Sequence, residues 1–172
     1  KFQVERQILK EVDPFAIDLQ AEHGFNNQGE QLSIPPILLE SLLKLGRSIV
    51  NAPEFDGYTG LRDTFFKDDG KPVELHLRPF LERAFRAPPD ELTLKRYAAF
   101  HAAAKKRTGS YTQAMKSVVA AVLASPKFLY VVEAKKGAGD KSAVNDYELA
   151  QRQALFLWSS IPDEPLMAAA RK

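Results

Sequence analysis

The sequence predicts an all-α fold, built as antiparallel helical hairpins with short loops. Three observations carry this. Apolar residues recur at three- and four-residue intervals, capping side chains stand ahead of several such runs, and proline or glycine closes them. A chain of 172 residues that is 45% hydrophobic and 27% charged suits one domain or two small ones, and it can bury a core without staples.

The first 30 residues are irregular, with a helical turn through Val4–Leu9 stopped at Asp13-Pro14 and a glycine-asparagine loop at 24–29. A helix is predicted over 35–51. Ser33 offers an N-cap, Pro35 and Pro36 suit a first turn, and Ile37, Leu38, Leu42, Leu45 and Ile49 share a face. From Asn51 to Lys71, Pro53, Gly57, Gly60, Asp68, Asp69 and Gly70 punctuate the chain around one turn of helix at 61–66.

A second helix starts near Pro72, with Leu77, Phe80, Leu81, Ala84 and Phe85 on one face, and stops at Pro88-Pro89. Asp90 caps a third, with Leu94, Tyr97, Ala98, His101 and Ala104 inward and Lys105-Lys106-Arg107 where cations suit the dipole. Gly109 closes it. Ser110 and Gln113 open a fourth, through Ala114, Val118, Ala121, Val122 and Ser125. After Pro126 the apolar run 128–132 is assigned to neither helix nor strand by periodicity, and burial is expected either way. A short extended segment there is the alternative. Residues 135–141 read as a solvated hinge, and Asn145 with Glu148 opens a fifth helix with Leu149, Phe156 and Leu157 as its apolar positions. Pro162 disfavours helix at Ile161, and Asp163 caps a new element whose first turn holds Pro165.

Composition narrows the chemistry. The formal charge of +2, from 24 basic and 22 acidic residues, gives no whole-molecule field for nucleic acid or an acidic membrane. Zero cysteine excludes disulfides, thiolate zinc sites, a cysteine nucleophile and covalent c-type haem attachment within these residues. No apolar stretch approaches the roughly 18 residues of a membrane span. The start at Lys1-Phe2-Gln3, without an initiator Met or signal peptide, suggests processing or trimming.

No motif stands out as catalytic or metal-binding. His23, His76 and His101 form no pair at helical ligand spacing. Asp56-Gly57 and Asp68-Asp69-Gly70 lack the rest of a calcium loop and read as turns. Ser110, Ser125 and Ser159 sit at helix ends, outside any nucleophile elbow. The basic run 105–107 has no interleaved aromatic platform, so nucleic acid is not an expected partner. Glu82, Asp90 and Glu91 surround Arg83–Arg86 and are expected to ion-pair there. Trp158 reads first as core or inter-domain packing, with ligand stacking the alternative.

Leu77 to Glu133 resembles one of the domains of unknown function named for planctomycete multidomain proteins that also carry a cytochrome c domain. The resemblance rests on the Phe-Leu-x-Arg-Ala-Phe-Arg-x-Pro-Pro block at 80–89, a helical hairpin, and Ser-Pro-Lys-Phe-Leu-Tyr at 125–130. Asn145 to Ala170 is similar to the opening of the domain that follows it, through Tyr-Glu-Leu-Ala at 147–150 and Phe-Leu-Trp-Ser-Ser-x-Pro-Asp at 156–163. Gly24 to Val50 is similar to the small domain that precedes both. Two positions depart from the pattern: Val131 stands where arginine is common, and Gln153-Ala154 where an apolar and a small residue are usual.

The punctuated stretch at 53–71 reads as a linker, and with the resemblance the expected division is a small N-terminal helical domain at 1–52, a helical-hairpin domain at 72–136, and the truncated start of a third at 137–172. The resemblance further implies an exported, periplasmic or secreted protein, of which this chain is a fragment. No cofactor is expected in this segment; a c-type haem belongs elsewhere in the polypeptide. The leading reading is a helical scaffold or interaction region of a cytochrome c-associated protein, linked to redox or electron transfer. Its expected partners are the remaining domains of the same polypeptide or a partner subunit. One alternative is part of an active site completed beyond Lys172, lined by Arg152, Trp158 or Asp163. Another is a carbohydrate- or surface-binding module using Trp158 and Tyr147. No catalytic residue follows from the resemblance.

Overall fold

The computed structural model describes residues 35–55, 59–131 and 144–172. Among these the structure is all-α, with no strand. The expected turn at 4–9, the loop at 24–29, Ser33, His23, Asp56-Gly57 and the hinge at 135–141 lie outside the described residues.

Helix α1 (Pro36–Asn51) starts on Pro36 after an extended Pro35. It ends where Ala52, placed before Pro53, turns to an extended ψ of 138°. Helix α2 (Glu74–Phe85) carries Glu74 in its first turn and gives way to Arg86 in the left-handed region, at φ 59°. Helix α3 (Glu91–Thr108) is opened by Asp90, whose Oδ1 accepts the Thr93 N–H at 2.6 Å and whose Oδ2 accepts the Thr93 hydroxyl at 2.9 Å. It ends before Gly109 at φ 67°. Ser110 and Ser125 cap α4 (Tyr111–Leu123) and the single turn α5 (Pro126–Leu129). Asn145 caps α6 (Asp146–Trp158), accepting the Glu148 N–H at 2.8 Å, and Ser159 closes it at φ 50°. Asp163 then caps α7 (Glu164–Ala170), with Pro165 in its first turn.

The chain divides into two compact units, and the division falls within α3. In the unit made of 35–55, 59–68 and 103–124, α1 packs on α4. Gly46 allows their approach: a Cβ there would lie 2.9 Å from the Ala120 carbonyl oxygen. The buried positions of α1 are Ser41, Gly46 and Val50. Ile37 is exposed and Leu42, Leu45 and Ile49 are half-buried, so the close contact falls beside the expected leucine stripe. Phe55, Phe65 and Phe66 are buried, with Phe66 meeting the other two rings edge-on at 5.7 and 5.1 Å. The Thr112 hydroxyl, on α4, donates to the Phe66 carbonyl at 2.8 Å.

In the unit made of 69–102, 125–131 and 144–172, Leu77, Leu81 and Phe85 on α2 and Leu94, Ala98 and His101 on α3 are buried, as the periodicity requires. Two expectations need correction. Leu129, Tyr130 and Val131 are exposed, because this segment is held through its peptide carbonyls and not through its side chains. On α6 the buried residues are Glu148, Ala150, Gln151 and Ala154, while Leu149, Phe156 and Leu157 face solvent.

Candidate functional site

Gln151, on the inward face of α6, is held by Arg86. The arginine ends α2 in a left-handed conformation and is only 9% exposed. Its Nε donates to Gln151 Oε1 at 3.1 Å, Nη1 to the Phe128 carbonyl at 3.0 Å, and Nη2 to the carbonyls of Lys127 and Tyr130 at 3.0 and 2.8 Å. Gln151 Nε2 returns a bond to the Arg86 carbonyl at 3.5 Å. The Phe-Arg-x-Pro-Pro block and the Ser-Pro-Lys-Phe-Leu-Tyr block therefore meet through one guanidinium, with α6 as the third partner. Every acceptor is neutral, so a whole positive charge stays buried without a counter-ion among the described residues. Burial lowers the Arg86 pKa accordingly.

Glu82, Asp90 and Glu91 form ion pairs as expected, with Arg171, Lys127 and Arg78. Arg78 pairs with Glu91 at 2.8 Å, Asp90 lies 3.5 Å from Lys127, and Glu82 pairs with Arg171 at 2.7 Å. Arg171 also takes Glu164 at 2.7 Å, which ties α7 to α2 and raises the guanidinium pKa further, Glu164 first and Glu82 next.

Beside Arg86 opens a cleft of about 170 Å³, lined on one side by Phe85, Ala87, Pro88 and Pro89 and on the other by Lys127, Asn145, Tyr147, Glu148 and Gln151. Gln151 and Glu148 are 5% and 6% exposed. The Lys127 ammonium lies 6.0 Å from the Phe85 ring centroid and 3.3 Å from the Thr93 hydroxyl. A second cleft of about 270 Å³ adjoins Arg83, Arg86, Met167 and the Arg171 ion pairs.

Of the residues named from sequence, Tyr147 lines the first cleft. Asp163 is the N-cap of α7, its Oδ1 accepting the Leu166 N–H at 3.0 Å. Arg152 is on the exposed side of α6. Trp158 is 47% exposed at the end of α6, next to Phe156 at 88%, and neither these two nor Arg152 lines the clefts just described. Arg86 and Gln151 had no local signal, because their partners lie far along the chain.

Asp69 and His76 form a smaller polar pair, His76 Nε2 lying 3.1 Å from Asp69 Oδ1. The His76 contact first, then Lys71, holds the Asp69 carboxyl well below the usual carboxylate range. Among the described residues no three His, Asp or Glu side chains gather as a metal site. No described helix is long and apolar enough to cross a membrane.

Residues 73–133 match the family model PSD5, a protein of unknown function (DUF1595), and residues 144–172 match PSD4, a protein of unknown function (DUF1592). No curated protein and no solved structure matches the chain.

Proposed function

We propose that this chain, whose residues 73–133 match the PSD5 model and residues 144–172 the PSD4 model, is a helical scaffold and interaction region of a larger exported polypeptide. It seats another domain of that polypeptide, or a partner subunit, against the last turn of α6. The periplasm or the outside of the cell is its place of work, and a cytochrome c module carried elsewhere supplies its link to electron transfer.

The observation that carries the interaction reading is the exposure of Leu155, Phe156, Leu157 and Trp158 together. Successive helical residues are about 100° apart, so four in a row face nearly every direction around the axis. A last turn that is apolar on almost all sides is costly in water and gains most from a partner that encloses it. Ile161, also exposed, extends the apolar surface past the break. The haem reading is supported by the resemblance of the two signature blocks. The chain itself offers no cysteine for covalent attachment.

Two measurements test this. In the polypeptide purified from its source, a Soret band that survives acid-acetone extraction is expected; a colourless polypeptide with no co-purifying c-type cytochrome removes the redox reading. In the same polypeptide, amide exchange at 155–161 is expected to be slower than in the 172-residue chain alone. Equal exchange in both removes the docking role.

A further inference from the structure

The cleft beside Arg86 has a donor inventory that the scaffold does not use. A guanidinium carries five N–H donors. Four are spent on Gln151 and on the carbonyls of Lys127, Phe128 and Tyr130, which leaves one on Nη1. Asn145 uses only its Oδ1, as the cap of α6, so its Nδ2 amide remains available. Tyr147 contributes a hydroxyl, and Lys127 an ammonium whose contacts to Thr93 and Asp90, at 3.3 and 3.5 Å, are long ones. Glu148 is the one acidic group in the described lining, set against the two cations Arg86 and Lys127. The wall is therefore net positive, and the N-terminal end of α6 adds a positive dipole.

We infer that this cleft binds a small organic carboxylate, its two oxygens received by Arg86, Lys127, Asn145 and Tyr147 and its short apolar body laid against Phe85, Ala87, Pro88 and Pro89. A carboxylate has about four lone-pair sites, which matches the four donor groups. A bound anion would also supply the counter-charge that buried Arg86 lacks. The size fits: about 170 Å³ is several times the space of one water and far less than a nucleotide or an oligosaccharide needs. The apolar wall offers a phosphate nothing for its remaining oxygens.

Propionate, propionamide and inorganic phosphate are the probes, titrated into the 172-residue chain while the Arg86 Nε–H and the Asn145 and Gln151 side-chain amides are followed by NMR. Saturable shifts with propionate, absent with the neutral amide and weaker with phosphate, are expected. Asn145→Asp is the informative variant, since aspartate caps a helix as well as asparagine but places a negative charge where the Nδ2 donor stood. It should keep the helical circular dichroism and lose propionate binding, and Lys127→Met should weaken binding by about tenfold or more, the worth of one charge-assisted hydrogen bond. No saturation, equal binding of propionamide, equal or tighter binding of phosphate, or undiminished binding by a folded Asn145→Asp protein each overturns the assignment.

Discussion

Arg86 and Gln151 hold each other twice, the Arg86 Nε–H on Gln151 Oε1 at 3.1 Å and the Gln151 amide on the Arg86 carbonyl at 3.5 Å. The pair joins the left-handed end of α2 to α6. Truncating either side leaves buried polar groups unmatched, at a cost of about 1–3 kcal/mol for each. Gln151→Leu is accordingly expected to lose about 1–3 kcal/mol in urea unfolding. Arg86→Leu should lose at least about 3 kcal/mol, because the Lys127, Phe128 and Tyr130 carbonyls lose their donor as well. Arg86→Lys should recover little, since one ammonium cannot span four acceptors laid out for a planar fork. Wild-type stability in either leucine variant would show that the bonds are ornamental.

Gly46→Ala sets two effects against each other. Helix propensity alone favours alanine by about 1 kcal/mol. The new methyl, however, would sit 2.9 Å from the Ala120 carbonyl oxygen, which is backbone and cannot swing aside. Overpacking of this kind costs about 1–3 kcal/mol, so a net loss is expected in thermal or urea unfolding. A gain would mean that α1 and α4 can move apart freely.

Much of this could be foreseen where the cause is local. Asp90, Ser110, Asn145 and Asp163 are read as caps because a cap needs only its own next three residues. The stripe Leu77, Leu81 and Phe85 is legible for the same reason. Reading fails where the cause is distant. Leu149, Phe156 and Leu157 look like the core face of α6, yet Gln151 is inside because Arg86, far back in the chain, bonds to it there. Phe55, Phe65 and Phe66 hide in a stretch punctuated by glycine and aspartate, where no period of three or four marks them. Of the four residues named as ligand or interface candidates, Tyr147 reaches a cleft because it happens to share the first turn of α6 with Asn145.

The Asp69–His76 contact makes part of the stability acid-sensitive. The folded carboxyl is depressed, so its contribution is present above the ordinary carboxylate pKa and is lost as pH falls through the lower folded value. Asp69→Asn should therefore lower the unfolding midpoint at neutral pH, by a difference that starts to shrink as pH falls below about 4 and vanishes only below the depressed folded value. The comparison to make is the midpoint difference between the two proteins along an acid titration. Asparagine keeps the Oδ1 that accepts the Lys71 N–H at 3.1 Å, so a difference that stays constant with pH would show that the effect does not come from the carboxylate charge.

Trp158 is the single tryptophan and about half exposed, which makes it a reporter of the surface it belongs to. In the 172-residue chain its emission should be red-shifted and readily quenched by acrylamide. Phe156→Ser and Leu157→Ser should change the unfolding free energy by no more than about 0.5 kcal/mol, because exposed side chains away from caps and cores carry little folding energy. The same two substitutions should weaken attachment of the neighbouring domain markedly, since an enclosing partner would bury both side chains and lose their transfer free energy, about 1.5–3 kcal/mol for each. Adding that domain to the wild-type chain should move Trp158 emission to the blue and shield it from quencher. A quenching constant that does not change on addition would leave the apolar turn in water and take away its role as a seat.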